Sequence, residues 1–212
     1  MRRDEFGDLA LATALLAVAG FVDAVGFLTL GHLFVSFASG NSTQFAIALG
    51  GTALGKTAPA GALVGCFVAG VFGGRMVALA AKDWRRPAVL LVEAGLLAAA
   101  ALAPLRGAEP AYLMALAMGA QNAVVRKAGE TQTALTYVTG TLVHLGQNLA
   151  DAICGAGPRG AWAPYLGLWI ALVLGGGLGG LAYWRLRLDA LLIAVAAILV
   201  LAAVTAWTRL RA

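Results

Sequence analysis

Leu9-Ala10-Leu11-Ala12-Thr13-Ala14-Leu15-Leu16-Ala17-Val18-Ala19-Gly20-Phe21-Val22-Asp23-Ala24-Val25-Gly26-Phe27-Leu28-Thr29-Leu30 carries a single formal charge, Asp23, in an otherwise apolar run. Spanning the hydrocarbon of a bilayer takes roughly 20 such residues. The scarcity of charge continues to Gly55, and the stretch from Gly160 to Trp184 has no charge at all. Over the whole chain, 61% of residues are hydrophobic and 12% charged, against about 45–50% and about 25% in soluble domains. A soluble core could not bury that much apolar surface, so the chain reads as an all-α polytopic membrane protein.

The net charge of +5 does not point to nucleic acid, because the cations sit in short clusters between apolar runs, where positive-inside bias places them. The charged start from Met1 to Glu5 flows into the first apolar run without a small-residue cleavage site, and reads as a retained first helix. Cys66 and Cys154 are far apart and lack metal-ligand spacing. Both are expected to be buried structural residues.

Cutting at charges, prolines and turn signals yields eight apolar segments: 9–30, 33–54, 59–81, 87–105, 110–125, 132–153, 161–184 and 188–208. Helices satisfy their own backbone in lipid, whereas barrel strands would show a period-two polar face that these runs lack. Pro59, Pro87 and Pro110 stand near segment starts, where a missing N–H costs little.

The segments repeat. Gly20-Phe21-Val22-Asp23-Ala24-Val25 matches Gly119-Ala120-Gln121-Asn122-Ala123-Val124 at an offset of 99. Ser36-Phe37-Ala38-Ser39-Gly40-Asn41 matches Thr136-Tyr137-Val138-Thr139-Gly140-Thr141 at an offset of 100. Gly70-Val71-Phe72-Gly73-Gly74 matches Gly176-Gly177-Leu178-Gly179-Gly180 at an offset of 106. Three landmarks in one order divide the chain into repeat halves 1–106 and 107–212, each with four segments. Eight crossings with a cytoplasmic N-terminus would leave Lys82 to Arg86 outside; with the N-terminus outside, Arg2 and Arg3 are poorly placed. If the second segment of each half is broken or re-entrant, the halves become inverted. Lys82 to Arg86, Arg126-Lys127 and Arg209/Arg211 then lie inside, with Arg185 and Arg187 outside.

Asp23 is the sharpest candidate for function, since an acid about fourteen residues into an apolar run is costly in lipid and usually faces a bundle interior or water path; near an interface, or capping a broken helix, it would be structural. Ser39, Gly40, Asn41, Ser42, Thr43 and Gln44 form a polar cluster that suits a broken helix whose freed N–H groups meet an anion or polar solute, or else interhelical hydrogen bonding. In the second half, Thr139, Gly140 and Thr141 lead to His144, Gln147 and Asn148. Their spacing puts the last three on one helical face, expected to look inward. Gln121, Asn122 and Tyr137 complete that set, which is expected to meet the first half's set across the repeat interface. His144 could carry a proton or simply pack. Glu93 and Arg75 are the remaining intramembrane charges and could pair; Asp151 reads as solvated at the membrane edge. The Gly-x-x-Gly-Gly runs read as close-packing surfaces. No cofactor, metal or catalytic residue is expected, since no nucleophile–base–orienter set or ligand cluster is present.

The Gly20 to Leu28 opening, Ser39-Gly40-Asn41, Met118-Gly119-Ala120-Gln121-Asn122-Ala123 and Thr136 to Thr141 resemble the YoaK-like family of uncharacterised bacterial integral membrane proteins over nearly the whole chain. That family usually has Thr-Gly-Asn where this chain has Ser39, which keeps the hydroxyl. The resemblance implies a bacterial inner-membrane, multi-pass location and no particular activity. From the residues, the leading expectation is a small-solute transporter or channel, partnered by lipid and an unknown solute or ion. Self-association into a homo-oligomer is compatible with the sequence. The alternatives are a membrane scaffold or regulatory partner, and a membrane-embedded enzyme using Asp23 or His144.

Overall fold

Backbone groups inside hydrocarbon must be satisfied within their own segment, and the described elements are accordingly all helical. The computed structural model describes residues 3–31, 33–51, 57–107, 109–125 and 137–211. Eight α-helices lie among them: α1 (Arg3–Leu30), α2 (Ala38–Gly50), α3 (Thr57–Ala81), α4 (Arg85–Leu102), α5 (Pro110–Gln121), α6 (Val138–Cys154), α7 (Ala163–Leu186) and α8 (Leu191–Leu210). Short 3-10 turns at Lys82–Trp84, Ala103–Arg106 and Arg187–Ala190 join or end them.

The expected segments map onto these helices with physically explicable shifts. α1 begins at Arg3 rather than at residue 9, because its charged first turns lie beyond the apolar run, where Asp8 pairs with Arg86 at the start of α4. The segment 110–125 is helical only to Gln121 and then turns. The segment 33–54 contains just the 13 helical residues of α2, about 20 Å at 1.5 Å per residue and short of a hydrocarbon core about 30 Å thick. Arg126, Lys127 and Thr136, which entered the orientation and repeat readings, lie outside the described residues. The expected burial of Cys154 is corrected: it is exposed at the end of α6.

The bundle is apolar outside as well as inside. Leu15, Val22, Leu90, Leu97, Met114, Met118, Leu191 and Ile198 form a closed core, while Ile47 (70% exposed), Phe72 (69%) and Ile153 (78%) face outward. Exposed apolar surface on that scale marks contact with lipid or another apolar partner. The stretches Gly7–Leu30, Pro59–Leu105 and Ala163–Leu210 are long and apolar enough to cross a membrane.

Helices are brought together by glycine. α1 packs on α7 and α3 on α5, while α4 packs on α8 and α5. A Cβ at Gly175 would strike the backbone of Ala17, one at Gly179 that of Phe21, and one at Gly20 that of Leu172. In the other pair, a Cβ at Gly70 would strike Leu116, one at Gly74 Ala120, and one at Gly119 Phe67. The three contacts occur twice, with partners 99 positions apart in α1 and α5 and 105 apart in α3 and α7. Contact geometry thus pairs Gly70 with Gly175 and Gly74 with Gly179, one residue earlier than the alignment of the two Gly-x-x-Gly-Gly runs at 106. Lys82 (φ 50°) and Arg187 (φ 52°), also 105 apart, are the two described non-glycine residues with positive φ, a conformation that costs on the order of 1–3 kcal/mol. Each sits in the turn that swings one glycine-bearing helix into the next.

The ends of the bundle follow from polar contacts. Asp8–Arg86 and Asp83–Arg209 (2.9 Å) gather the start of α1, the α3–α4 turn and the end of α8 at one end. At the other end the Tyr183 hydroxyl donates to the Leu28 carbonyl (3.2 Å), joining the end of α7 to the end of α1. α1 and α7 are therefore parallel, as are α3 and α5, and the second pair runs opposite to the first.

A methyl group decides between these two classes of glycine. Gly70→Ala and Gly175→Ala are expected to destabilise the folded chain by about 1–3 kcal/mol through overpacking, read as a lower unfolding temperature in detergent. Gly73→Ala and Gly177→Ala meet open space and should leave it unchanged or slightly raised.

Candidate functional site

The chain does not continue straight after α1. Gly31 adopts a left-handed φ of 60°, and the segment that follows folds back alongside the helix it has just left. Asp23 holds it there. Its Oδ1 accepts hydrogen bonds from the backbone N–H of Val35 (2.9 Å) and Ser36 (2.8 Å), and its Oδ2 accepts the Ser36 hydroxyl. Asp23 lies seven residues before the end of α1, about 10 Å along the axis, so residues 35 and 36 re-enter the bundle to that depth. α2 then returns along α3, with the Phe45 ring against Gly61 near the start of that helix. The second segment thus folds back into the bundle.

Asn41, in the first turn of α2 and only 2% exposed, completes the clamp. Its Oδ1 accepts from the Phe34 N–H (3.1 Å) and its Nδ2 donates to the Phe34 carbonyl (2.6 Å). The N–H groups of residues 34, 35 and 36 are thereby all taken by side chains of the same half. Those three N–H groups are therefore satisfied within the loop and are not open to an anion. Gly40 lies beneath the ring of Phe37, where a Cβ would clash. Ser39 is exposed; the exposed Thr43 hydroxyl donates to the Ser39 carbonyl (3.2 Å), and Gln44 is half-buried.

Beside the clamp is a cavity of about 370 Å³ bounded by Asp23, Phe27 and Phe34, with Gly20 and Ala24 of α1 and Leu172 and Gly176 of α7. The rings of Phe27 and Phe34 lie 4.9 Å apart, and Phe34 meets Phe37 edge-on at 5.4 Å. Sequence reasoning missed these aromatics and the role of Ser36, because a contact between residues 23 and 36 leaves no mark in local periodicity. The break at Gly31 downstream of an intramembrane acid was the available signal.

The second half's residues are placed differently. Gln121 is fully buried and donates from Nε2 to the Leu15 carbonyl (2.7 Å), while Asn122 donates to the carbonyls of Met118 (3.0 Å) and Gly119 (3.4 Å). Tyr137 covers Gly140 as Phe37 covers Gly40, and the Thr141 hydroxyl bonds back to the Tyr137 carbonyl (3.3 Å). Thr139 is exposed. The expectation that His144, Gln147 and Asn148 look inward is corrected: His144 and Gln147 are exposed and Asn148 is half-buried. α6 packs on α7 through the face made by Val138, Thr141, Leu145, Asn148 and Ala152, half-buried at spacings of three and four. His144 stacks on Tyr165 at 5.3 Å at the edge of that contact, and Asn148 donates to its carbonyl (2.8 Å). The two polar sets do not meet, since α2 lies on α3 and α6 on α7 without substantial contact between the short helices among the described residues.

Glu93 is buried in α4, and neither carboxylate oxygen has a hydrogen-bond partner among the described residues, so the expected pairing with Arg75 is not made. The Oε1 of Gln121 is likewise without a partner there. No three His, Cys, Asp or Glu side chains come together as metal ligands among the described residues.

The comparisons with known proteins agree with the architecture. Residues 11–205 match the family described as "Protein of unknown function (DUF1275)". The UPF0700 transmembrane protein RA0705 of Rhizobium meliloti (strain 1021) is 35% identical over 204 residues, covering 92% of this chain and 88% of the relative. The UPF0700 transmembrane protein YoaK of Bacillus subtilis (strain 168) is 32% identical over 158 residues, 68% of each chain. No solved structure matches the chain significantly.

The clamp can be dissected by substitution. Asp23→Ala leaves two buried N–H groups and a hydroxyl without an acceptor, each worth about 1–3 kcal/mol. It is expected to lower the unfolding temperature in detergent far more than Asp23→Asn, whose Oδ1 still accepts from both N–H groups. Equal losses in the two variants would mean that the charge, not the hydrogen bonds, holds the loop.

Proposed function

The chain belongs to the DUF1275 family and is an integral membrane protein, and from that premise we propose that it is a small-solute transporter or channel of the bacterial inner membrane. The observation that carries this reading is the half-length helix α2, folded back into the bundle and held by Asp23 beside a cavity of about 370 Å³. Broken or re-entrant helices beside a binding site are the recurring device of secondary transporters, whose repeats often have inverted topology.

The chain is read as two halves, 1–106 and 107–212, related by inversion. The doubled glycine contacts and the opposed directions of the α1/α7 and α3/α5 pairs support this. So do the matched starts of α2 and α6 at Phe37 (φ −85°, ψ 71°) and Tyr137 (φ −80°, ψ 68°). In this scheme α1, α3, α4, α5, α7 and α8 cross the membrane, and α2 and α6 enter and return. The end carrying Lys82, Arg85, Arg86, Arg209 and Arg211 faces the cytoplasm by the positive-inside rule, leaving Arg185 and Arg187 outside. Rocking of one half against the other would expose the cavity by turns.

A second reading, a membrane scaffold, is favoured by one observation: Asp23 and Asn41 are engaged in holding their own loop. Uptake into liposomes separates the two. The purified chain is expected to accelerate uptake of at least one member of a panel of ions, amino acids, amines, nucleobases and small organic acids. No acceleration across the panel would leave the scaffold reading.

Topology has its own test. With Cys66 and Cys154, both free thiols, replaced by serine, Thr57→Cys is expected to react with an impermeant maleimide from the periplasmic side only. Arg159→Cys should react from the cytoplasmic side only. Labelling of both from one side would overturn the inversion.

A further inference from the structure

The electrostatics of the cavity next to Asp23 are unbalanced in one direction. Asp23 accepts three hydrogen bonds, all from neutral donors of its own loop. The ion pairs among the described residues are Asp8–Arg86 and Asp83–Arg209, neither of which involves it. No cationic side chain among the described residues bounds the cavity. A carboxylate in apolar surroundings is most favourably placed with a countercharge, and here the place for one is the cavity itself.

The walls narrow what that countercharge can be. A bare metal cation such as Ca²⁺ needs six to eight oxygen ligands, while this cavity offers one carboxylate already engaged in hydrogen bonds, with aliphatic groups and two phenyl rings around it. An anion would face the carboxylate, and the N–H groups that could have received it are bonded to Asp23 and Asn41. Phe27 and Phe34, with ring centres 4.9 Å apart, present the surface on which an ammonium group is stabilised. The volume of about 370 Å³ falls in the range of small-molecule sites.

We propose that the cavity between α1, α7 and the re-entrant loop binds a monovalent organic cation with an apolar body, an amine or quaternary ammonium, through the Asp23 carboxylate and the Phe27 and Phe34 rings. The inference rests on the transport reading only for the identity of the cavity as the solute site. The class of solute comes from the lining.

The test uses the full chain in detergent and three probes that share a benzyl group: benzyltrimethylammonium, its uncharged carbon isostere neopentylbenzene, and the anion phenylacetate. Binding is measured by calorimetry and by thermal unfolding. Benzyltrimethylammonium is expected to bind and stabilise, neopentylbenzene to bind at least about tenfold more weakly, and phenylacetate not to bind, since losing the charge-dependent attraction of a desolvated site removes about a factor of ten or more. Asp23→Asn should weaken the cation at least about tenfold. Ala24→Phe, which fills the cavity and keeps every hydrogen-bonding group of the clamp, should do the same, and it decides the matter if Asp23→Asn does not fold. Equal affinity for the uncharged isostere, cation binding unchanged in Ala24→Phe, or no cation binding at all would each overturn the proposal. Absence of cation binding with liposome uptake of some other solute would remove the solute class and leave transport standing. Cation binding without any uptake would do the reverse.

Discussion

One half-buried carboxylate sets the course of the first half of the molecule. A charged group deep in an apolar segment is costly unless its acceptors are used, and Asp23 uses both oxygens on the backbone and hydroxyl of a segment twelve and thirteen residues farther on. The same bonds solve the opposite problem, since a loop entering the bundle brings N–H groups that hydrocarbon cannot satisfy. Asn41 does for Phe34 what Asp23 does for Val35 and Ser36. Acid and loop are each tolerable because the other is present. The cavity exists because α2 is held back rather than continuing away from α1.

Around that feature the bundle is assembled by backbone approach. Lipid supplies little hydrophobic drive between helices, so small residues that admit close packing become the natural interface. Here glycine on each helix receives the carbonyl of the other, in α1 against α7 and in α3 against α5. Each of these pairs joins an early segment to a late one, so the first and second parts of the chain are interlocked. Mutual motion of the two halves, on the transport reading, therefore shears these same contacts.

Some polar groups in the core remain unsatisfied. Both oxygens of Glu93 and the Oε1 of Gln121 are buried without partners among the described residues, and such groups are rare in folded proteins because each costs about 1–3 kcal/mol. They lie on α4 and α5, which pack together, away from the Asp23 clamp. Their position at the centre of the bundle separates them from the polar side chains of α6, where the Thr141 hydroxyl and the Asn148 amide bond back to carbonyls of the preceding turn.

Much of the architecture was legible from residue order. Apolar run lengths are set by the bilayer, so membrane helices, their approximate limits and the special status of Asp23 can be read directly. The half-length second segment was legible too, since five hydrogen-bonding side chains and a glycine in a row do not suit a continuous lipid-facing helix. What residue order could not supply was direction. The stripe of His144, Gln147 and Asn148 is equally regular whether it looks inward or outward, and the contact with α7 turned it to the edge. The partner of Asp23 likewise lies beyond the reach of helical periodicity, as does the one-residue difference between aligning glycine runs and aligning glycine contacts. Sequence determined which groups the membrane would not tolerate alone; only the tertiary structure decided what satisfied them, because hydrogen bonds and close packing depend on which helices meet, and that is settled by the whole bundle at once.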